Sequence, residues 1–127
     1  MKSLLILIVS LLLLGSCAKA DLEPNSPAKT GKSPVKVTFI ELGSVNCIPC
    51  IKMQGVMKEI EREYQDQVQI VFYDVWTEAG KPYGQQYRIR VIPTQVFLDE
   101  KGNEYFRHEG YFPKEELVQI LRQKGVR

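Results

Sequence analysis

Residues 35–127 predict an α/β domain in which a central mixed sheet of about four strands is flanked by helices, in the order β-α-β-α-β-β-α. Three observations predict it. The hydrophobic period changes from strand-like to helical near Cys50 and back to strand-like by Val68. Two β-branched, apolar runs bracket that helix within about 40 residues, the length of a βαβ unit. The C-terminal part reads as a hairpin followed by one amphipathic helix.

VKVTFIEL at 35–42 is β-branched and aromatic, with a polar residue at every other early position, and reads as a strand. From Cys50 onward Met53, Val56, Met57, Ile60 and Tyr64 recur at helical spacing, and Lys52, Lys58, Glu59, Arg62 and Glu63 fill the other face. Cys47 and Cys50, with Ile48 and Pro49 between them, therefore sit where a strand feeds the first turn of a helix. VQIVFYDV at 68–75 is a second strand, apolar enough to predict burial on both faces in a parallel pair, and the βαβ crossover is expected to be right-handed. The stretch 77–90 carries turn signals and predicts one short helix around Tyr83 and Tyr87, with Trp76 before it as a core or loop-packing residue. TQVFLD at 94–99, the turn EKGN and EYFRHEG at 104–110 make a hairpin that puts His108 at the surface. The last helix, within 112–125, opens with Pro113 in its first turn, places Glu115 and Glu116 at its positive end, buries Leu117, Ile120 and Leu121, and stops at Gly125.

The first 34 residues do not belong to this domain. Lys2 precedes a predominantly apolar run of 11 residues from Leu4 to Leu14, too short for the roughly 20 that span a membrane, and predicts an export signal over 1–16. LGSC at 14–17 resembles the lipobox of bacterial lipoproteins, in which the cysteine is acylated and the signal is cut just before it. That resemblance implies that Cys17 is a lipid anchor in a bacterial envelope membrane, with the domain facing the periplasm; the bland reading is an ordinary cleavage site with an incidental cysteine. Residues 17–34, with three prolines, charges of both signs and almost nothing apolar, are expected to be a flexible tether.

Seventeen basic against fifteen acidic side chains make a near-neutral chain without the basic, aromatic-interleaved cluster that nucleic-acid binding needs. No repeat or low-complexity tract interrupts 35–127, which is expected to act as a monomer.

The order of elements, with C-x-x-C at the first strand-to-helix turn, resembles the thioredoxin family over most of 35–127. CIPCIKMQGVMKEIEREY is similar to the family's active-site helix, including proline as the second residue between the cysteines. YRIRVIPTQVFLD is similar to the segment that holds the family's cis-proline, which falls on Pro93 with Ile92 before it. Gly110 falls where the family has a glycine after the hairpin, and Glu41 where thioredoxins bury an aspartate. The resemblance implies the thioredoxin fold and a thiol–disulfide oxidoreductase that uses a redox-active disulfide and no cofactor or metal. It implies Cys47 as nucleophile, Cys50 as resolving thiol, Glu41 as a proton carrier for Cys50, and Pro93 as the residue that leaves a backbone edge free for an extended substrate. Ile48 and Pro49 would be the active-site dipeptide, and Asn46 and Ile92 would face the substrate. Glu41 ending its strand in solvent is the other reading of that residue. The chain departs from the family at Asn46 and Gly43, where thioredoxins carry tryptophans, and at Gly55, where the active-site helix usually has a kink proline. The link from Asp74 to Pro93 is also longer, and 18–34 supplies no counterpart of the family's first strand and helix.

A thiolate is the reactive form of cysteine, and a helix N-terminus in a C-x-x-C pair lowers the first thiol from about 8.5 to somewhere around 3.5–7.5. A zinc site would need about four ligands, and one C-x-x-C with one distant histidine supplies half of them, so metal delivery is a weak alternative. A redox-inert staple is weak too, because a bridge closing so small a loop removes little unfolded-state entropy. Between reductase, oxidase and isomerase, Pro49 and Ile92 resemble the reducing members and point to a potential nearer about −270 mV than about −120 mV. The clients implied are disulfide-containing envelope proteins such as apocytochrome c, and the electron source a transmembrane thiol donor.

Overall fold

A computed structural model describes residues 34–127. The export signal over 1–16, Cys17 and the tether up to Ser33 lie outside the described residues. The elements are β1 (Val37–Gly43), α1 (Ile48–Tyr64), β2 (Val68–Asp74), α2 (Lys81–Gln86), β3 (Thr94–Asp99), β4 (Glu104–Glu109) and α3 (Lys114–Arg122), in the order the sequence predicts. The four strands form one sheet in the order β2-β1-β3-β4, with β1 parallel to β2 and antiparallel to β3, and β3 antiparallel to β4.

The alternation along β1 assigns its side chains to two layers. Val37 and Phe39 face α1 and α3, packing with Met53, Met57, Ile60, Leu117 and Leu121. Phe39 is in register with Phe97 of β3, and their rings stack at 4.9 Å, tying the two central strands at the middle of that layer. Ile40 and Leu42 face the other way, onto Val96 and the aromatic side chains Tyr73, Tyr83 and Tyr87 around α2. Burying each such large apolar side chain is worth about 1.5–3 kcal/mol, and β1 and β3, buried on both faces, supply most of the sheet's share of the core.

Several local expectations need correction. β2 is half-buried along most of its length, because among the described residues it lies at the edge of the sheet and β1 takes the fully buried position. Trp76 is 63 % exposed: it follows β2 in a loop beyond the sheet edge and has no layer to pack into. The cysteine pair does sit where β1 feeds a helix, as the sequence predicts: α1 begins at Ile48, Cys47 is its N-cap and Cys50 lies inside its first turn. Pro113 caps α3 instead of entering it, and Val118 joins Leu117 and Leu121 as a buried residue while Ile120 is half-buried. α2 comes earlier than expected, at Lys81–Gln86. The C-terminus is pinned back to the start of β1, where Lys36 Nζ donates to Gly125 O at 2.6 Å.

This topology brings the carboxyl ends of β1, β2 and β4 and the start of the antiparallel β3 to one end of the sheet. Crevices outside the carboxyl ends of strands are where open α/β sheets bind and react. Among the described residues no helix is long and apolar enough to cross a membrane.

Candidate active site

β1 runs out at Gly43, and the next three residues turn the chain into α1. That turn is held from the neighbouring strand. The Asp74 carboxylate at the end of β2 accepts from Val45 N at 3.2 Å, from Ser44 Oγ at 3.4 Å and from Trp76 N at 3.1 Å. One side chain thus fixes both loops that flank the site. Cys47 N donates to Ser44 O at 3.3 Å, and Ile51 N donates to Cys47 O at 2.9 Å, which starts the helix. Pro49 fits the first turn because its missing N–H would have no intrahelical partner there. No side chain caps α1 and no acidic residue stands in its first turn, so the sulfurs are left to meet the positive end of the helix.

Cys47 and Cys50 form a disulfide. The two sulfurs are not equivalent: Cys47 keeps 8 % exposure, whereas Cys50 has none. Asn46, Ile48 and Pro49 around them are exposed. Gly43 lies directly under the inner cysteine. A side-chain carbon there would stand 3.2 Å from both Cβ and Sγ of Cys50 and 3.5 Å from Glu41 Oε1, so the inner sulfur and the Glu41 carboxyl flank the same glycine.

Glu41 is wholly buried, so it does not end its strand in solvent. Its side chain sits on the α1-facing layer of β1, next to Phe39 in the alternation, with Phe72 across from it on β2 and Gln95 on β3. Neither carboxyl oxygen has a hydrogen-bond partner. Burial pushes this carboxyl from the ordinary 4.5 up to about 8, against a smaller lowering influence of the Gln95 amide. A carboxyl in this place is neutral at physiological pH and can hand a proton to an adjacent sulfur or take one back.

The Ile92–Pro93 peptide bond is cis. Pro93 is buried and Ile92 half-buried. Thr94, the next residue, is in register with Leu42, so the Pro93 backbone lies beside the turn that carries Cys47. Gly110, at φ +93° where a side chain is disfavoured, donates its N–H to Pro93 O at 2.8 Å and ties this segment to the end of β4. A hollow of about 380 Å³ next to it is lined by Val75, Trp76, Ile89, Arg90, Val91 and Ile92. Glu41, Cys47, Cys50, Ile92 and Pro93 thus come together at one end of the sheet. His108 is half-buried, its ring stacked on Phe112 at 4.2 Å.

Three residues of the site carry no motif. Asp74 reads as the end of a strand, Trp76 as packing, and Gln95 as an ordinary strand residue. For Gln95 a signal existed: period two in TQVFLD puts it on the same face as Phe97, a polar residue at a core-facing position. Among the described residues no group of three or more His, Cys, Asp or Glu is placed to hold a metal ion.

Residues 26–125 match a family model described as a thioredoxin-like domain. The chain is 28 % identical over 102 residues to the chloroplastic thioredoxin-like protein HCF164 of Oryza sativa subsp. japonica, a match that covers 80 % of this chain and 39 % of that protein. It therefore spans well under half the length of that curated relative. Among solved structures it is similar to the germline-specific thioredoxin Deadhead of Drosophila melanogaster, with TM-score 0.61 and 22 % identity over 69 % of this chain and 80 % of that one. It is also similar to the exposed lipoprotein thioredoxin Etrx1 of Streptococcus pneumoniae, with TM-score 0.60 and 21 % identity over 71 % of this chain and 86 % of that one. At these identities the structural likenesses establish the fold.

Proposed function

The chain belongs to the thioredoxin-like domain family, and we propose that it is a thiol–disulfide oxidoreductase that reduces disulfides of exported proteins while anchored by an acylated Cys17 to a bacterial envelope membrane. The observation that carries the chemistry is the asymmetry of the pair: a reachable sulfur at a helix N-terminus and a sealed one over a buried carboxyl. The anchor rests on the lipobox resemblance of LGSC, and the periplasm-facing location on the export signal before it.

In the dithiol form the helix N-terminus favours the Cys47 thiolate. That thiolate attacks one sulfur of a client disulfide. A Cys47–client bond forms, the client's own S–S bond breaks, and its electron pair leaves on the second client sulfur, which takes a proton from solvent. Glu41 must first release its own proton to solvent; as the carboxylate it takes the proton of Cys50, whose thiolate then attacks Cys47 Sγ. The mixed disulfide breaks, the first client sulfur leaves as a thiolate, and the protein is left with the Cys47–Cys50 disulfide and two electrons fewer. Exchange of this kind needs no further cofactor. A transmembrane dithiol donor runs the same steps backwards, and Cys50 then leaves beside a carboxyl that already carries a proton.

Pro93 contributes by leaving the backbone edge before β3 free to pair with an extended client segment next to Cys47. Client segments would rest on the exposed Val45, Ile48, Trp76 and Val91 that surround it. Reduction over oxidation is favoured by Pro49 and Ile92, which resemble the reducing members of the family. Equilibration of the Cys47/Cys50 couple with glutathione tests the direction: a value near −270 mV is expected, and one above about −150 mV would overturn the reductase reading. Cys50→Ser should accumulate clients, apocytochrome c among the candidates, as mixed disulfides on Cys47, and capture of none would remove the oxidoreductase reading. Mass spectrometry of the mature N-terminus tests the anchor, which an unmodified Cys17 would eliminate.

A further inference from the structure

The Asp74 carboxylate is a charge built into the turn that carries Cys47. It accepts from Val45 N at 3.2 Å and Ser44 Oγ at 3.4 Å on one side, and from Trp76 N at 3.1 Å on the other. The bonds continue toward the cysteine: Ser44 Oγ accepts from Asn46 N at 3.2 Å, and Ser44 O accepts from Cys47 N at 3.3 Å. The backbone around Asp74 is fixed as well. Val75 N donates to Gly43 O at 2.9 Å, Thr77 Oγ1 donates to Asp74 O at 2.7 Å, and Gly80 packs so closely that a side-chain carbon there would overlap Asp74 O.

No cation answers this charge: among the described residues Asp74 forms no ion pair, and its three partners are neutral donors. The residue is half-buried, which weakens screening by solvent. The other charged groups at this end of the sheet bear less on the outer sulfur. Glu41, which flanks Gly43 together with Cys50, is neutral at physiological pH. Arg90 is bound to both carboxylate oxygens of Glu109, and Lys52 points its charge into solvent from α1.

We propose, on the oxidoreductase reading of this site, that Asp74 opposes the Cys47 thiolate and so holds the couple on the reducing side. The N-terminus of α1 favours negative charge on Cys47, and a second negative charge tied to the same turn disfavours it. Val45, which Asp74 holds, is two residues from Cys47, so the two charges stand on the order of 10 Å apart. Repulsion over that distance near a protein surface weakens the thiolate against the thiol about three- to tenfold. The thiolate belongs to the reduced form alone. Stabilising it makes a dithiol couple oxidising, and destabilising it makes the couple reducing. This bias is independent of Pro49 and Ile92. Asp74 is not itself catalytic, since it exchanges neither electrons nor protons with a client; it sets the field in which Cys47 ionises.

The test compares the mature wild type with Asp74→Asn and Ser44→Ala. Two quantities are read: the potential of the Cys47/Cys50 couple against glutathione, and the Cys47 thiolate by its ultraviolet absorbance as the dithiol form is titrated. Asp74→Asn removes the charge and keeps an acceptor. It should shift the equilibrium with glutathione toward the dithiol about three- to tenfold, a rise of about 15–30 mV, and lower the Cys47 pKa with it. Ser44→Ala loosens the same turn but leaves the charge, and should leave both readings in place. An unchanged or more negative potential in Asp74→Asn overturns the proposal, and so does an equal shift in both variants, which is what a structural role predicts. Should Asp74→Asn fail to fold, Asp74→Ser, neutral and still an acceptor, decides by the same readings. The wild-type value separates this role from the reading it rests on. With the wild type near about −270 mV, an unmoved variant removes only the role of Asp74; a wild type above about −150 mV removes the reductase reading and this proposal together.

Discussion

Replacing Glu41 by glutamine removes one titration from the core and should change how stability depends on pH. The folded protein holds the Glu41 proton up to about pH 8, whereas the unfolded chain gives it up near 4.5. Because the folded pKa is the higher one, the stability it supports is fully present below about pH 4.5 and is lost as pH rises through about 8. At about 1.4 kcal/mol for each pH unit over that window, the wild type loses on the order of 5 kcal/mol by about pH 9. Glutamine has the same shape and stays neutral, so the variant escapes that loss. Urea denaturation of the oxidised proteins at several pH values reads the difference directly: the two should be nearly equal near pH 5 and separate by about 3–5 kcal/mol near pH 9, with Glu41→Gln the more stable. Other displaced groups do not intrude on this window. Surface pairing pulls Glu63, Glu104 and Glu109 down, backbone N–H groups hold Asp99 low, and Tyr105 is pushed up to about 12. Parallel stability curves for the two proteins between pH 5 and 9 would refute a neutral Glu41 in the folded state.

The remaining expectations are simpler. Phe97→Ala removes a fully buried ring stacked on Phe39 and edge-on to Phe112, and should cost about 3–5 kcal/mol in denaturant unfolding. Gly55→Ala, on the exposed side of α1 with nothing within 4 Å of the added carbon, should stabilise by about 0.5–1 kcal/mol, seen as a raised Tm. Asp74→Ala leaves the Val45 and Trp76 amides without their acceptor and should cost about 1–3 kcal/mol; hydrogen exchange should quicken at 44–46 and 76 while the amides of β1 and β3 stay protected.

The order of elements was legible because each one satisfies its own period: helical from Met53 to Tyr64, two in TQVFLD, and turn residues in EKGN. The cysteine pair was legible for the same reason, since its chemistry depends on where a strand meets a helix and that junction is local. What the sequence could not display is what the sheet assembles. Apolar composition does not say which strand lies at an edge, and VQIVFYDV would suit a central position equally well. Trp76 suits packing by its size, but it falls in a loop past the end of that edge strand. Glu41 and Gln95 stand 54 positions apart, and only the antiparallel register of β1 and β3 makes them neighbours.

The same assembly shapes the surface around the cysteine pair. Resemblance to thioredoxins would put indole rings at positions 43 and 46, flanking the active-site turn, and this chain has Gly43 and Asn46 there. Gly43 has no room for one: even a single carbon would press against Cys50 at 3.2 Å. The large apolar surface near Cys47 comes instead from Ile48 between the cysteines, from Val45 before them and from Trp76 across the Asp74-tied loop, at 74 %, 58 % and 63 % exposure. Asp74 holds the backbones of Val45 and Trp76 with one carboxylate, so the two sides of this rim are set relative to each other by three hydrogen bonds. The apolar surface on the β2 side of the site is thus supplied by the loop that carries Trp76. On the proposed function, selectivity among clients would turn on Trp76 and on the Asp74 tie that orients it, and the exchange chemistry on Cys47, Cys50 and Glu41.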